Sequence, residues 1–339
     1  MCKGRMSLAI MMMATIAMLS GCGSDDDTTN GPTTRPGGGV DGRLYVLNQG
    51  DNTMYIYDTQ TLKRVDSIDT HVAMPHYIEF SPDGGRFYIT TLIDVLGSGD
   101  AFIGKFDAAD NSFIDSTIVP VAFQPSAIAI SADGLFGYIC NFSNSTDPTQ
   151  IHKYNLADLT KIASLQAGAF THDLKITSDG SLVIACNRFS DNLTLVDARA
   201  DTVAFVDIDP DSAYAPTGDP KYGPFGVAID HRDSLAFIAC MDGLQVRVLD
   251  IKERRVVDSV DIPVVQQGLI WGPTLMAVHP DNDLVFVTTR FGNSIVAFRL
   301  STKQTWDIPV GTVGPFGITI SDDGSRVYAA CVGRPDEHG

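Results

Sequence analysis

Six times after residue 70 the chain repeats one phrase: an apolar strand, a tight turn of Asp-Gly type and a second apolar strand. The copies begin at Pro75 (PHYIEFSPDGGRFYI), Pro125 (PSAIAISADGLFGYI) and Thr171 (THDLKITSDGSLVIA). Three more follow at Pro224 (PFGVAIDHRDSLAFI), Pro273 (PTLMAVHPDNDLVFV) and Pro315 (PFGITISDDGSRVYA), and successive copies lie 50, 46, 53, 49 and 42 residues apart. One such unit cannot cover its own apolar faces, so it must stack on its neighbours. A period of this length built from short strands predicts an all-β fold, a β-propeller with one repeat per blade.

The repeat extends beyond two strands. After YVLN at Tyr45 comes QGDNTMYIYDTQTLKRVDSID, which reads as a turn, a third strand ending in Asp58, a loop and a fourth strand. Later copies start at Ser190, Asp242 and Gly292, so each blade is a four-stranded antiparallel meander. These residues resemble the bacterial YVTN-type propeller repeat, most strongly in LYVLNQGDNTMYIYDTQTLKRVDSI, and the resemblance covers residues 43 to 332. A WD-type propeller would carry Trp-Asp where this chain has YIYD, TLVD and RVLD. Strand counting leaves two arrangements. If residues 316–321 pair with the strands of residues 43–70, the propeller has six blades. If the last repeat is an incomplete blade, it has seven, the number usual for proteins of this resemblance and the arrangement favoured here.

Residues 1–21 read as a lipoprotein signal peptide. Lys3 and Arg5 precede an apolar stretch too short to span a bilayer, and Leu19-Ser20-Gly21-Cys22 resembles the bacterial lipobox, which implies acylation of Cys22. Residues 22–42 are rich in Gly, Thr, Asp and Pro, the composition of a flexible tether, and the propeller occupies 43–339. The resemblance implies a bacterial cell-envelope protein, held in the membrane by its lipid. The SDDD run after Cys22 is similar to signals that favour the outer membrane or cell surface, although a solvated spacer has the same composition. Processing would remove two of the 24 basic residues and leave 22 against 41 acidic ones, a net charge of −19. Such a chain repels phosphate backbones and anionic headgroups, which excludes nucleic acid as a partner. It reads as a monomer that takes an unknown protein or small-molecule ligand.

Cys140, Cys186, Cys240 and Cys331 all fall in the second strand of a repeat and hence on different blades, too far apart for disulfides. No C-x-x-C-H, Gly-rich phosphate loop, nucleophile elbow or HExxH occurs, and Asp207-x-Asp209-x-Asp211 lacks the Gly and Glu of a calcium loop. No cofactor or metal is expected.

In a meander of this kind the short, uniform turns SPDG, SADG, TSDG, HPDN and SDDG share one rim. The variable segments 91–100, 142–149, 209–223 and 263–272 share the other, which is therefore the expected binding face. His76 and His172 stand at equivalent positions at the mouth of the central channel there. Arg188 and Arg290 lie nearby at strand ends, and Tyr222 and Trp271 in the long loops. These six form a candidate site for a small anionic or hydroxylated ligand; for the two histidines, packing is an equal alternative. No catalytic residue is assigned. The reading is a non-catalytic binding scaffold, and the alternative is a lactonase-like hydrolase or lyase with His76 or His172 as general base. Seven-bladed lactonases share the architecture but act in the cytoplasm on phosphorylated substrates, whereas this chain has an export leader.

The leader generates a direct test. Intact-mass analysis of membrane-fraction protein should find a mature chain that begins with lipid-modified Cys22, and Cys22→Ala should release or stall the protein; an unmodified chain starting beyond residue 22 refutes this.

Overall fold

The computed structural model describes residues 14–18, 42–92, 100–119, 123–143, 145–209, 220–262, 272–290, 292–310 and 314–332. Cys22, most of the tether, Trp271 and the greater part of the long loops at 91–100, 209–223 and 263–272 lie outside the described residues.

The first sheet holds β1 (Ala14–Met18), β2 (Arg43–Asn48), β3 (Thr53–Asp58) and β4 (Arg64–Asp69). The second holds β5 (Pro75–Phe80), β6 (Arg86–Thr91), β7 (Phe102–Asp107) and β8 (Phe113–Ile118). The third is β9 (Pro125–Ile130), β10 (Phe136–Asn141), β11 (Gln150–Asn155) and β12 (Thr160–Gln166). The fourth is β13 (Thr171–Ile176), β14 (Leu182–Asn187), β15 (Asn192–Asp197) and β16 (Thr202–Asp207). The fifth is β17 (Pro224–Ile229), β18 (Leu235–Cys240), β19 (Gln245–Asp250) and β20 (Arg255–Asp261). The sixth is β21 (Pro273–Val278), β22 (Leu284–Thr289), β23 (Ser294–Arg299) and β24 (Thr305–Pro309), and β25 (Pro315–Ile320) pairs with β26 (Val327–Cys331) in a two-stranded sheet.

The innermost strands β1, β5, β9, β13, β17, β21 and β25 each pack on the next, and β25 returns to β1. Seven inner strands therefore close a ring. The protein is a β-propeller, with six four-stranded blades and a two-stranded seventh among the described residues. Arg326 beside β26 donates to the carbonyl of Thr59 in the first blade, a further tie across the closure.

Of the two arrangements that strand counting left open, the favoured seven-bladed one is formed. Residues 316–321 do not join the strands of residues 43–70, because β25 pairs with β26 instead. The inner edge of β2 is taken by residues 14–18, with Ala14 opposite Asn48 and Met18 opposite Leu44. An open inner edge leaves a row of backbone donors and acceptors without partners, and a short apolar segment can satisfy them. In the full-length chain residues 14–18 thus complete the first blade.

Local chemistry explains the turns between the first and second strands of each blade. Ser81 bonds Asp83 at 2.6 Å and accepts from the Arg86 amide at 2.9 Å, and Ser131, Thr177 and Ser321 repeat the arrangement. The turn then needs a left-handed residue, supplied by Gly84, Gly134, Gly180 and Gly324, or by Asp233 and Asn282. The Asp that ends the third strand caps the next turn: Asp58 accepts from the amides of Gln60 and Thr61, and Asp197 from those of Arg199 and Ala200.

The core lies between blades. Five apolar clusters each span two consecutive sheets; in the cluster joining the first and second, Phe87 stacks on Phe106 at 4.8 Å. Truncating such a ring to alanine would cost about 3–5 kcal/mol.

A finer device joins the hub. β5, β9, β13, β17, β21 and β25 each carry a one-residue bulge just after their first residue. The bulge frees a carbonyl, and the second strand of the preceding blade latches onto it. Thr90 donates to Ser126 O, Cys140 Sγ to His172 O at 3.1 Å and Thr288 to Phe316 O at 2.9 Å. Thr288→Val keeps the shape but leaves that buried carbonyl unsatisfied. It should cost about 1–2 kcal/mol and lower Tm by about 2–5 °C in thermal denaturation; an unchanged Tm would show that the latch contributes nothing.

Candidate functional site

The bulges decide what meets at the channel mouth. His76 and His172 are bulge-region residues, 2% and 3% exposed, and their ring centroids lie 6.0 Å apart, edge to face. The His172 ring stacks on Phe225 at 3.6 Å and also meets Phe142 at 5.0 Å and Phe316 at 6.0 Å. Phe170 and Met241 complete this apolar plug. The Phe225 backbone is the one hydrogen-bonding group that bears on the His172 ring nitrogens among the described residues.

Burial, helped by the charge of Arg290, pushes His76 down to about 4. Burial and then His76 push His172 well below the usual imidazole range. Both rings are therefore neutral at pH 7. Arg290 is buried too, sits over the Phe316 ring at 5.3 Å, and is pushed down to about 10 by desolvation.

The other expected members stand apart. Arg188 makes a two-pronged pair with Asp242, both contacts 2.9 Å, and lies over Phe170 and Phe189. Tyr222 donates its hydroxyl to Asp209 at 3.0 Å, and Arg247 covers its ring at 4.2 Å. Asp191 holds this loop by accepting from the amides of Lys221, Tyr222 and Gly223; burial still raises its carboxyl above the usual range. Gly223 is obligatory there, since its φ is +61° and a Cβ would come within 1.9 Å of an Asp242 oxygen. The structure thus brings His76, His172 and Arg290 together. Arg188 and Tyr222 are tied into a neighbouring polar lattice, and Trp271 lies outside the described residues.

A second cluster lies deeper, on the inner strands. Lys175 of β13 reaches past β9, whose Ala127 and Ala129 are small, to the hydroxyl of Tyr77 on β5 and to Glu79, 3.5 Å away. Asp173 accepts from the amides of Val227 at 2.9 Å and Leu174 at 2.9 Å. Burial raises Asp173 to about 6 and also lifts Glu79 and Tyr77; burial pulls Lys175 down, but Tyr77, Glu79 and Asp173 outweigh it and hold the ammonium firmly charged. Yet 34% of the Lys175 side chain and 25% of Glu79 remain exposed. Both groups therefore keep part of their surface open to solvent at the inner strands of the ring. That residual hydration tempers the shifts. The sequence carries a signal for this cluster: PHYIEF and THDLKI hold charges where PSAIAI, PFGVAI, PTLMAV and PFGITI hold none.

The described cysteines are all free, and burial lifts the Cys140, Cys186 and Cys240 thiols far above the usual range, which makes them inert packing groups. Among the described residues no group of three or more His, Cys, Asp or Glu could hold a metal ion.

Residues 41–220 match the family described as "Lactonase, 7-bladed beta-propeller", more than half of the chain. The chain belongs to this family. The lactonase-family match includes His76, His172 and the whole channel cluster, and stops short of Tyr222 and Arg290. A solved structure of Kuenenia stuttgartiensis hydrazine synthase superposes with a TM-score of 0.65 at 17% identity, covering 86% of this chain and 90% of that one, a likeness of fold alone. No curated protein matches the sequence.

The buried imidazoles set an acid limit on stability. The unfolded chain protonates them near 6.5, whereas folded His76 resists until about 4, so stability is lost as pH falls through that window. The shift of His76 is worth roughly 3 kcal/mol at most. Asp173, raised to about 6, acts in the opposite sense and offsets part of the loss. Thermal scans at pH 7, 6 and 5 should show Tm falling in the wild type, and falling less after His76→Gln with His172→Gln; equal slopes would refute the assignment.

Proposed function

We propose that this propeller is a lipid-anchored scaffold of the bacterial cell envelope, on the outer membrane or cell surface, that binds a small ligand or protein through its loop-rich rim without catalysis. One observation carries the reading. The two histidines best placed at the mouth for acid–base work are 2% and 3% exposed, packed against phenylalanines and held neutral. A general base must reach the proton it removes, and these rings cannot reach a substrate without unpacking the plug. The rim in turn joins fixed polar groups, Arg188–Asp242 and Tyr222–Asp209, to the loops that vary most between repeats. Fold shared with enzymes does not bring their chemistry along.

A second reading, a lactonase-like hydrolase, is favoured by family membership. Its base would have to come from elsewhere than the mouth histidines. A pH-stat assay on a panel of lactones, run beside a thermal-shift ligand screen after dialysis against a chelator, separates the two. Ligand-dependent stabilisation with no acid release supports the scaffold. Lactone-dependent acid release above the uncatalysed rate overturns it.

A further inference from the structure

The channel cluster stands apart from the rim and from the packed mouth, and its chemistry is specific. Lys175 and Glu79 face each other at 3.5 Å, whereas Lys153 and Asp201 close to 2.7 Å and Lys221 and Asp209 to 2.8 Å. A charge-assisted hydrogen bond normally spans about 2.7–2.9 Å, so the channel pair is slack. Both its members keep solvent contact, and β9, the inner strand between theirs, carries no charge. The Tyr77 hydroxyl accepts from Lys175 and so keeps its own proton for a further acceptor.

Charge selects the ligand class. A lone anion would meet Glu79 and Asp173 as well as the overall charge of −17. A lone cation would meet the Lys175 ammonium. A molecule that carries both signs on one carbon complements the slack pair, with its carboxylate toward Lys175 and Tyr77 and its ammonium toward Glu79. We propose that Tyr77, Glu79 and Lys175, with Asp173 behind them, form a binding site in the hub for a small zwitterion of the α-amino acid type. The site lies beyond the rim scaffold reading and does not depend on it.

Isothermal titration of the full chain with glycine and with arginine tests this, using N-acetylglycine and glycine methyl ester as probes that each lack one charge. Expected is saturable, millimolar binding of at least one amino acid, about tenfold or more weaker for both blocked probes. Glu79→Gln and Lys175→Met should each weaken it by a similar factor, whereas His76→Gln with His172→Gln should not. Should Lys175→Met fail to fold by thermal scan, Glu79→Gln, which preserves shape, decides alone. Three outcomes overturn the proposal: no binding at tens of millimolar, equal binding of the blocked probes, or binding indifferent to Glu79→Gln. Loss through the histidine variant alone would also overturn it, moving the ligand to the mouth and leaving the rim reading intact.

Discussion

Face-to-face packing between consecutive sheets is the interaction on which every other feature depends. Each blade is a small antiparallel meander whose two faces are apolar, and no blade can cover both by itself. The buried clusters accordingly run from one sheet into the next rather than within a sheet. Stacking of twisted sheets around an axis turns this need into a ring, and the ring creates a hub that no single repeat contains. Closure is its weak point. Among the described residues the seventh blade has two strands, and the inner edge of the first is satisfied by residues 14–18.

The bulge after the first residue of each inner strand links packing to chemistry. It exposes a carbonyl for the neighbouring blade to grip, through Thr90, Cys140 or Thr288, and it directs the bulge-region side chains toward one another at the mouth. Where those side chains are Phe225, Phe316 and two imidazoles, they condense into a plug. Where the strand continues with Glu79 or Lys175, the charged side chains keep part of their surface exposed. Along the same strands an aromatic packing site therefore gives way to an ionic cluster whose Lys175 and Glu79 keep solvent contact.

The repeat itself was legible: six copies, strands in pairs, Asp-Gly turns and a capping Asp at the end of the third strand all correspond to local structure with a local cause. The rim of variable loops could be told from the rim of uniform turns because strand direction alternates. The composition of the site was less legible. His76 and His172 share a repeat position and do meet, but their burial depends on Phe142 and Phe225, which come from other blades. Arg188 looked available and is held by Asp242, 54 residues away. Glu79 and Lys175 were visible as charges in otherwise apolar strands, yet their partnership spans an intervening blade.

What the sequence by itself determined is the blade, because alternation of apolar residues, left-handed turn positions and carboxylate caps act over a few residues and need no distant partner. The tertiary structure alone decided how the ring closes, which polar groups are wet and which are sealed, and which charges pair. Those outcomes depend on desolvation and on distances between side chains on different blades, and neither quantity exists until the sheets have stacked.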